Sequence, residues 1–242
     1  MTPIIVACLG SSSIAGKGQA YNWIDELKRR PNNRHINILN FGVGGDLACN
    51  ALERLPSVIA SRPNKVLVWV GGNDVLALVS TKARRFFRIA KRLSATPSPE
   101  SFRENLYTLV DNLKENTSAT IALCSLQPIG EAPNSKNSFQ RELNLRVEQY
   151  SALIHDIASE TAARYISIHE SLRDEIETSP GQAFTAFNFL PFYRDAFRVL
   201  IQHKSPDEVA ALNGWRFHTD GIHLNSRSGH IVANLVQQFI EQ

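Results

Sequence analysis

An α/β fold with a largely parallel central sheet is the prediction from this sequence, and two observations carry it. Short apolar runs alternate with longer amphipathic stretches along the chain, and those runs are continuous rather than alternating, as in strands covered on both faces. The runs at 4–9, 36–41, 65–70, 120–125 and 165–168 give five strands. Stretches at 19–30, 46–61, 75–93, 99–116, 138–163 and 227–241 give helices, joined by short turns rich in Gly, Pro, Asn or Ser. The expected arrangement is therefore three-layered, α/β/α, with a mostly parallel five-stranded sheet in the middle. A length of 242 residues suits one domain, 1–242. One stretch, 179–216, breaks the rhythm with Phe184, Phe187, Phe189, Phe192, Tyr193, Phe197 and Trp215, and reads as an insertion or cap.

Composition narrows the class. With 43% hydrophobic and 20% charged residues the chain can bury a sizeable core, which excludes collagen-like and disordered classes. Cys8, Cys49 and Cys124 are odd in number and isolated in apolar surroundings, against both a disulfide framework and a clustered zinc site. A formal charge of +3 gives no general attraction to nucleic acid, and no nucleic-acid partner is expected. No apolar run approaches the roughly 18 residues of a membrane span. The run at 3–9 has no positive residue before it, so it reads as a strand rather than a signal peptide, and a reducing cytoplasm is the expected location.

In parallel sheets ligands bind beyond the carboxyl ends of the strands, which directs attention to four loops. After the first strand, Gly10-Ser11-Ser12-Ser13-Ile14-Ala15-Gly16 is a small-residue turn opening a helix; alone it reads as an ordinary turn and cap. After the second, Gly42, Gly44 and Gly45 permit backbone conformations and approaches that a side chain would forbid, with Asp46 as a helix cap or Gly45 N–H as a donor to a bound oxygen. After the third come Gly71, Gly72, Asn73 and Asp74; the Asn73 amide either caps a helix or reaches a ligand. Before the final helix, Asp220 and His223 are spaced so that one turn can bring them together, an arrangement that fixes the imidazole tautomer and leaves a base. Together these supply a nucleophile, oxyanion donors and an oriented base to one cleft.

In that order the four blocks resemble the SGNH hydrolases, or GDSL-type esterases and lipases. Gly10, Ser12 and Gly16 match the family's first block; Gly45 aligns with its oxyanion glycine, ahead of a similar run at 52–56; Gly71, Gly72, Asn73 and Asp74 complete its third; Asp220 and His223 complete its last. The similarity spans residues 4–241. Two departures stand out: Ser11 replaces the usual Asp beside the nucleophile, and Ile14 replaces a residue that is polar in many members.

The resemblance implies a flavodoxin-like three-layer fold and a serine esterase or lipase. Ser12 would attack an ester carbonyl, His223 would shuttle the proton and Asp220 would orient His223, with the oxyanion held by Ser12 N–H, Gly45 N–H and the Asn73 amide. It calls for a small-molecule ester, such as a short-chain acyl, lysophospholipid or acetyl-sugar ester, and for no metal or organic cofactor. Asp74 is read as a brace for its loop.

Rival readings rest on particular residues. A metal site of His218, Asp220 and His223 leaves the Gly-Ser and Gly-x-Asn-Asp loops unexplained, and a flavin-binding protein leaves Asp220 and His223 idle. A non-catalytic binding member of the fold draws on Ser11, and an acyltransferase differs only in the acceptor alcohol. Residues 82–92 carry Lys82, Arg84, Arg85, Arg88, Lys91 and Arg92 with no acid, and suit either a solvated amphipathic helix or peripheral contact with a lipid surface. The aromatic stretch suits either a lid or core packing. Acyl and alcohol specificity and oligomeric state are not encoded in these motifs.

Overall fold

Successive residues of a strand point to opposite faces of its sheet, so a run that is apolar throughout must be covered twice. In the computed structural model, which describes residues 4–93 and 95–242, five strands form: β1 (Ile4–Gly10), β2 (Ile36–Gly42), β3 (Lys65–Trp69), β4 (Thr120–Cys124) and β5 (Arg164–Ile166). Pro3, at the start of the first apolar run, lies outside the described residues. The strands make one sheet in the order β2-β1-β3-β4-β5, and every neighbouring pair is parallel.

The helices in chain order are α1 (Ser12–Ala15), α2 (Trp23–Arg29), α3 (Ala48–Glu53), α4 (Leu55–Ala60), α5 (Gly72–Val79), α6 (Thr81–Ala90), α7 (Pro99–Asn116), α8 (Ser138–Glu160), α9 (Ile168–Thr178), α10 (Phe189–Leu200), α11 (Pro206–Asn213) and α12 (Ser226–Glu241). Ala7, Leu9, Val66, Val68, Ile121 and Leu123 enter one core with side chains of α3 to α8. Val6, Cys8, Leu67, Trp69, Ala122 and Cys124 enter a second with those of α2, α9 and α12. The three-layer α/β/α expectation is met.

Two expected helices are broken, each for a local reason. The stretch 46–61 divides at Arg54, because Pro56 lacks an N–H and fits only the first turn of a new helix, α4. The stretch 75–93 divides at Ser80, whose side chain caps α6 by accepting from Ala83 N; α5 begins at Gly72, so Asn73 and Asp74 lie in its first turn. Ile168, expected to end the fifth strand, instead opens α9, where Ile168, Leu172 and Ile176 bury one face at four-residue spacing. The chain leaves β1 toward β2 and returns on the other side as β3, which opens a crevice at the carboxyl ends of β1 and β3.

Candidate active site

The serine loop starts where β1 ends. Ser11 is buried, its N–H donates to Trp69 O, and its carbonyl accepts from Ile14 N and Ala15 N to start α1. Ser13 Oγ donates to Gln127 Oε1 at 2.8 Å, and Gln127 Nε2 donates in turn to Ile222 O at 2.8 Å. Of the three serines, Ser12 faces the large cavity described below. Groups other than the replaced Asp support the loop: Trp23 Nε1 donates to Ser13 O at 2.7 Å, and Asn40 Nδ2 to Ile14 O at 2.9 Å. Gly42 passes so close that a Cβ there would lie 2.2 Å from Ala15 N, which is why the second loop must carry glycine at this point.

Gly45 adopts φ of +79°, a conformation that glycine reaches without strain. Three basic contacts fix its loop. Lys91 Nζ donates to Gly44 O at 2.7 Å and pairs with Asp46 Oδ1 at 2.8 Å, so it folds over the loop instead of joining the solvated basic face. Arg54 Nη2 pairs with Asp46 Oδ2 at 2.6 Å and also donates to Gly10 O at 3.0 Å, while its Nη1 donates to Phe41 O. One guanidinium therefore ties the ends of β1 and β2 to the Gly45 loop. Asn73 Nδ2 donates to Asp46 O at 2.8 Å, which leaves its second amide hydrogen for a ligand. Asp74 turns inward to accept from Ala48 N at 3.2 Å, bracing α3 against α5. Burial pushes its carboxyl up to about 7, against the opposing backbone hydrogen bonds of Ala48 and its own N–H.

Asp220 and His223 meet within one turn. Asp220 Oδ1 accepts from Ile222 N at 3.0 Å and His223 N at 2.8 Å, while Oδ2 lies 2.7 Å from His223 Nδ1 and accepts from Gln19 Nε2 at 3.1 Å. Burial opposes the charge of Asp220, but the His223 imidazole, the His223 N–H and the Gln19 amide outweigh it and hold the carboxyl well below the usual range. Burial likewise disfavours imidazolium, yet the Asp220 carboxylate, by charge and by hydrogen bond, holds His223 above its ordinary value. With Nδ1 committed to Asp220, Nε2 is left as the base.

His218 does not join this pair. Its ring is fully buried, with Nδ1 3.0 Å from Glu131 Oε1 and Nε2 2.9 Å from Pro128 O. The Glu131 carboxylate also accepts from the N–H groups of Arg216, Phe217 and His218, so it anchors the loop that leads to Asp220. Gln19, Gln127, Lys91 and Glu131 carry no motif. Of these, only Lys91 was noted in the sequence, as one of the basic residues at 82–92.

Ser12, Gly45, Asn73, Asp220 and His223 all line one cavity of about 710 Å³. Much of its remaining wall is aromatic, with Phe86 and Phe87 of α6, Phe184 and Phe187, Phe189 and Phe192 of α10, and Trp215, beside polar groups such as Lys91, Arg194 and Asn213. The aromatic stretch thus roofs the site, and the Phe192 ring lies 5.9 Å from that of His223. Phe197 is the exception, being half exposed on the outer side. Asp195, fully buried, fastens the roof: its carboxylate pairs with Arg198 at 2.9 Å and accepts from Asn213 Nδ2 at 2.7 Å, joining α10 to α11.

Comparison with known proteins gives a family and a shared fold. The model of the GDSL-like lipase/acylhydrolase family matches residues 8–187. Among solved structures, the acetyl xylan esterase AlAXEase superposes with a TM-score of 0.63 at 18% identity, covering 98% of this chain and all of that one. The acetylxylan esterase Axe2 of Geobacillus stearothermophilus gives 0.63 at 16%, covering 98% and 95%. LAE5, an alpha/beta hydrolase enzyme from the metagenome of Lake Arreo, Spain, gives 0.62 at 16%, covering 97% and 94%. At such identities the likeness speaks for the fold. No curated protein matches the sequence.

Proposed function

The chain belongs to the GDSL-like lipase/acylhydrolase family and is a carboxylic ester hydrolase, and from that premise we propose that it works through an acyl-enzyme on Ser12. Ser12 Oγ attacks the ester carbonyl carbon as its proton passes to His223 Nε2. The tetrahedral oxyanion is held by Ser12 N–H, Gly45 N–H and the free hydrogen of the Asn73 amide. Collapse expels the alcohol, which takes the proton from His223. Water then attacks the acyl-enzyme with His223 again as base, releasing the acid and restoring Ser12 Oγ–H. Asp220 stabilises the imidazolium that forms in each half-reaction.

The observation that carries this reading is the 2.7 Å contact between Asp220 Oδ2 and His223 Nδ1, in the same cavity as Ser12, Gly45 and Asn73. The cavity falls within the usual range of roughly 300–1,000 Å³ for small-molecule sites, and its aromatic wall suits an ester with a sizeable apolar part. The test is intact mass after treatment with a serine-reactive phosphonate, with peptide mapping of the adduct. An adduct on Ser12 that is absent from His223→Ala is expected. An adduct on Ser11 or Ser13, or none, would overturn the assignment.

A further inference from the structure

Two helices that line the cavity also expose apolar and basic side chains on their outer faces. On α10, Leu190, Tyr193, Phe197, Leu200 and Ile201 recur at the spacing of one helical face. All are exposed, Leu190 by 81% and Leu200 by 64%, and helices on soluble folds do not ordinarily leave such a stripe uncovered. On α6 and the turn after it, Lys82, Arg85, Arg88 and Arg92 form an outward basic row, beside exposed Phe86 and Ile89. Among the described residues no salt bridge engages any of these four cations, in contrast to Lys91 and Arg54. The helices adjoin, with the Phe86 and Phe189 rings 4.9 Å apart and Lys82 Nζ donating to Asn188 Oδ1 at 3.2 Å.

We propose that α6 and α10 together form a docking surface for an anionic phospholipid membrane, on which the enzyme takes up acyl-ester substrates. The apolar stripe enters the headgroup boundary, and the unpaired cations meet lipid phosphates beside it. An apolar stripe alone would suit a second copy of this chain equally well. The row of cations beside it gives the surface a mixed apolar and basic character, which an anionic membrane, offering hydrocarbon and phosphate together, complements. The same helices supply Phe86, Phe87, Phe189 and Phe192 to the cavity wall, so an acyl chain leaving the bilayer meets an apolar path toward Ser12. The uptake clause rests on the acyl-enzyme reading; the docking clause does not.

The experiment is sedimentation of the full chain with vesicles of phosphatidylcholine mixed with phosphatidylglycerol, against phosphatidylcholine alone. Binding to the mixed vesicles, weakened by salt, is expected, with little to the neutral ones. Joint replacement Arg85→Ser, Arg88→Ser and Arg92→Ser should weaken it by about a hundredfold. Leu190→Ser with Phe197→Ser should weaken it at least tenfold, and both variants should keep parental turnover of a soluble short-chain ester. Ser12→Ala should bind vesicles like the parent, which separates docking from catalysis. If the ester assay shows no turnover in any form, thermal melting reports folding and the vesicle result still decides. Absence of binding to the anionic vesicles, or equal binding by the variants, overturns the proposal. A dimer in sedimentation velocity that Phe197→Ser dissolves, without vesicle binding, overturns it in favour of a subunit interface.

Discussion

Arg54 and Asp46 form an ion pair of 2.6 Å in which the guanidinium also holds the carbonyls of Gly10 and Phe41. The contact joins the ends of β1 and β2 to the loop that carries Gly45, so Arg54 is expected to position both Ser12 and Gly45. Arg54→Met should lower kcat at least tenfold with a smaller change in KM, because the donors move while the cavity wall stays. Arg54→Lys should recover little, since an ammonium cannot reproduce the planar fork. A variant that alters KM alone would contradict the role.

Asn73 makes a direct claim on the transition state. Asn73→Ala removes one oxyanion donor, expected to cost about 3 kcal/mol, or roughly a hundredfold or more in kcat. Its other hydrogen bond, to Asp46 O, adds a loss of loop rigidity. Steady-state kinetics should show kcat falling with KM nearly unchanged.

The rate should follow the protonation of His223. Because Asp220 raises its pKa and only the neutral imidazole can accept the serine proton, kcat/KM should climb with pH through a midpoint above the ordinary histidine value. Asp220→Asn removes the carboxylate charge, so the acid limb should move to lower pH while turnover drops by orders of magnitude. A pH–rate profile whose acid limb stays in place would detach Asp220 from His223.

Asp74 should reveal itself in stability. Its folded-state carboxyl is raised to about 7 by burial, whereas the unfolded value is near 3.8. The folded state therefore holds the proton more tightly, and the contribution present below the unfolded value is lost as pH rises through about 7. Asp74→Asn keeps an acceptor for Ala48 N and cannot ionise. Its Tm relative to the parent should rise between the two values and level off above 7.

Particular residues show how far the sequence could be read. The central strands were legible because they are apolar on both faces, as Val66 to Trp69 illustrate, and that demand is local. The helix breaks at Arg54 and Ser80 were hidden because the apolar pattern runs through them; only Pro56 and a serine capable of capping marked the joints. Helix α10 escaped notice because Pro191 and the dense aromatics around it read as irregular chain, although Pro191 falls in the first turn, where a helix accepts it. At the site, Ser12, Gly45 and Asn73 follow strand ends and line one cavity with Asp220 and His223, whereas the family match ends at residue 187, short of that pair. Gln19 and Glu131 could not be foreseen, since their role is to hold other residues and depends on contacts across 201 and 87 positions of chain.

The strand order has a consequence for how the protein acquires its activity. β1 lies inside the sheet between β2 and β3, so most contacts of the serine loop, to Trp23, Asn40 and Trp69, come from segments made early. The paired Asp220 and His223 stand on the loop before α12, and α12 packs in the second core against side chains of α2. A nascent chain could thus present a finished nucleophile with nothing to activate it. Hydrolytic competence would arrive in one late step, after the sheet is closed, and the growing polypeptide would remain harmless to surrounding esters until then.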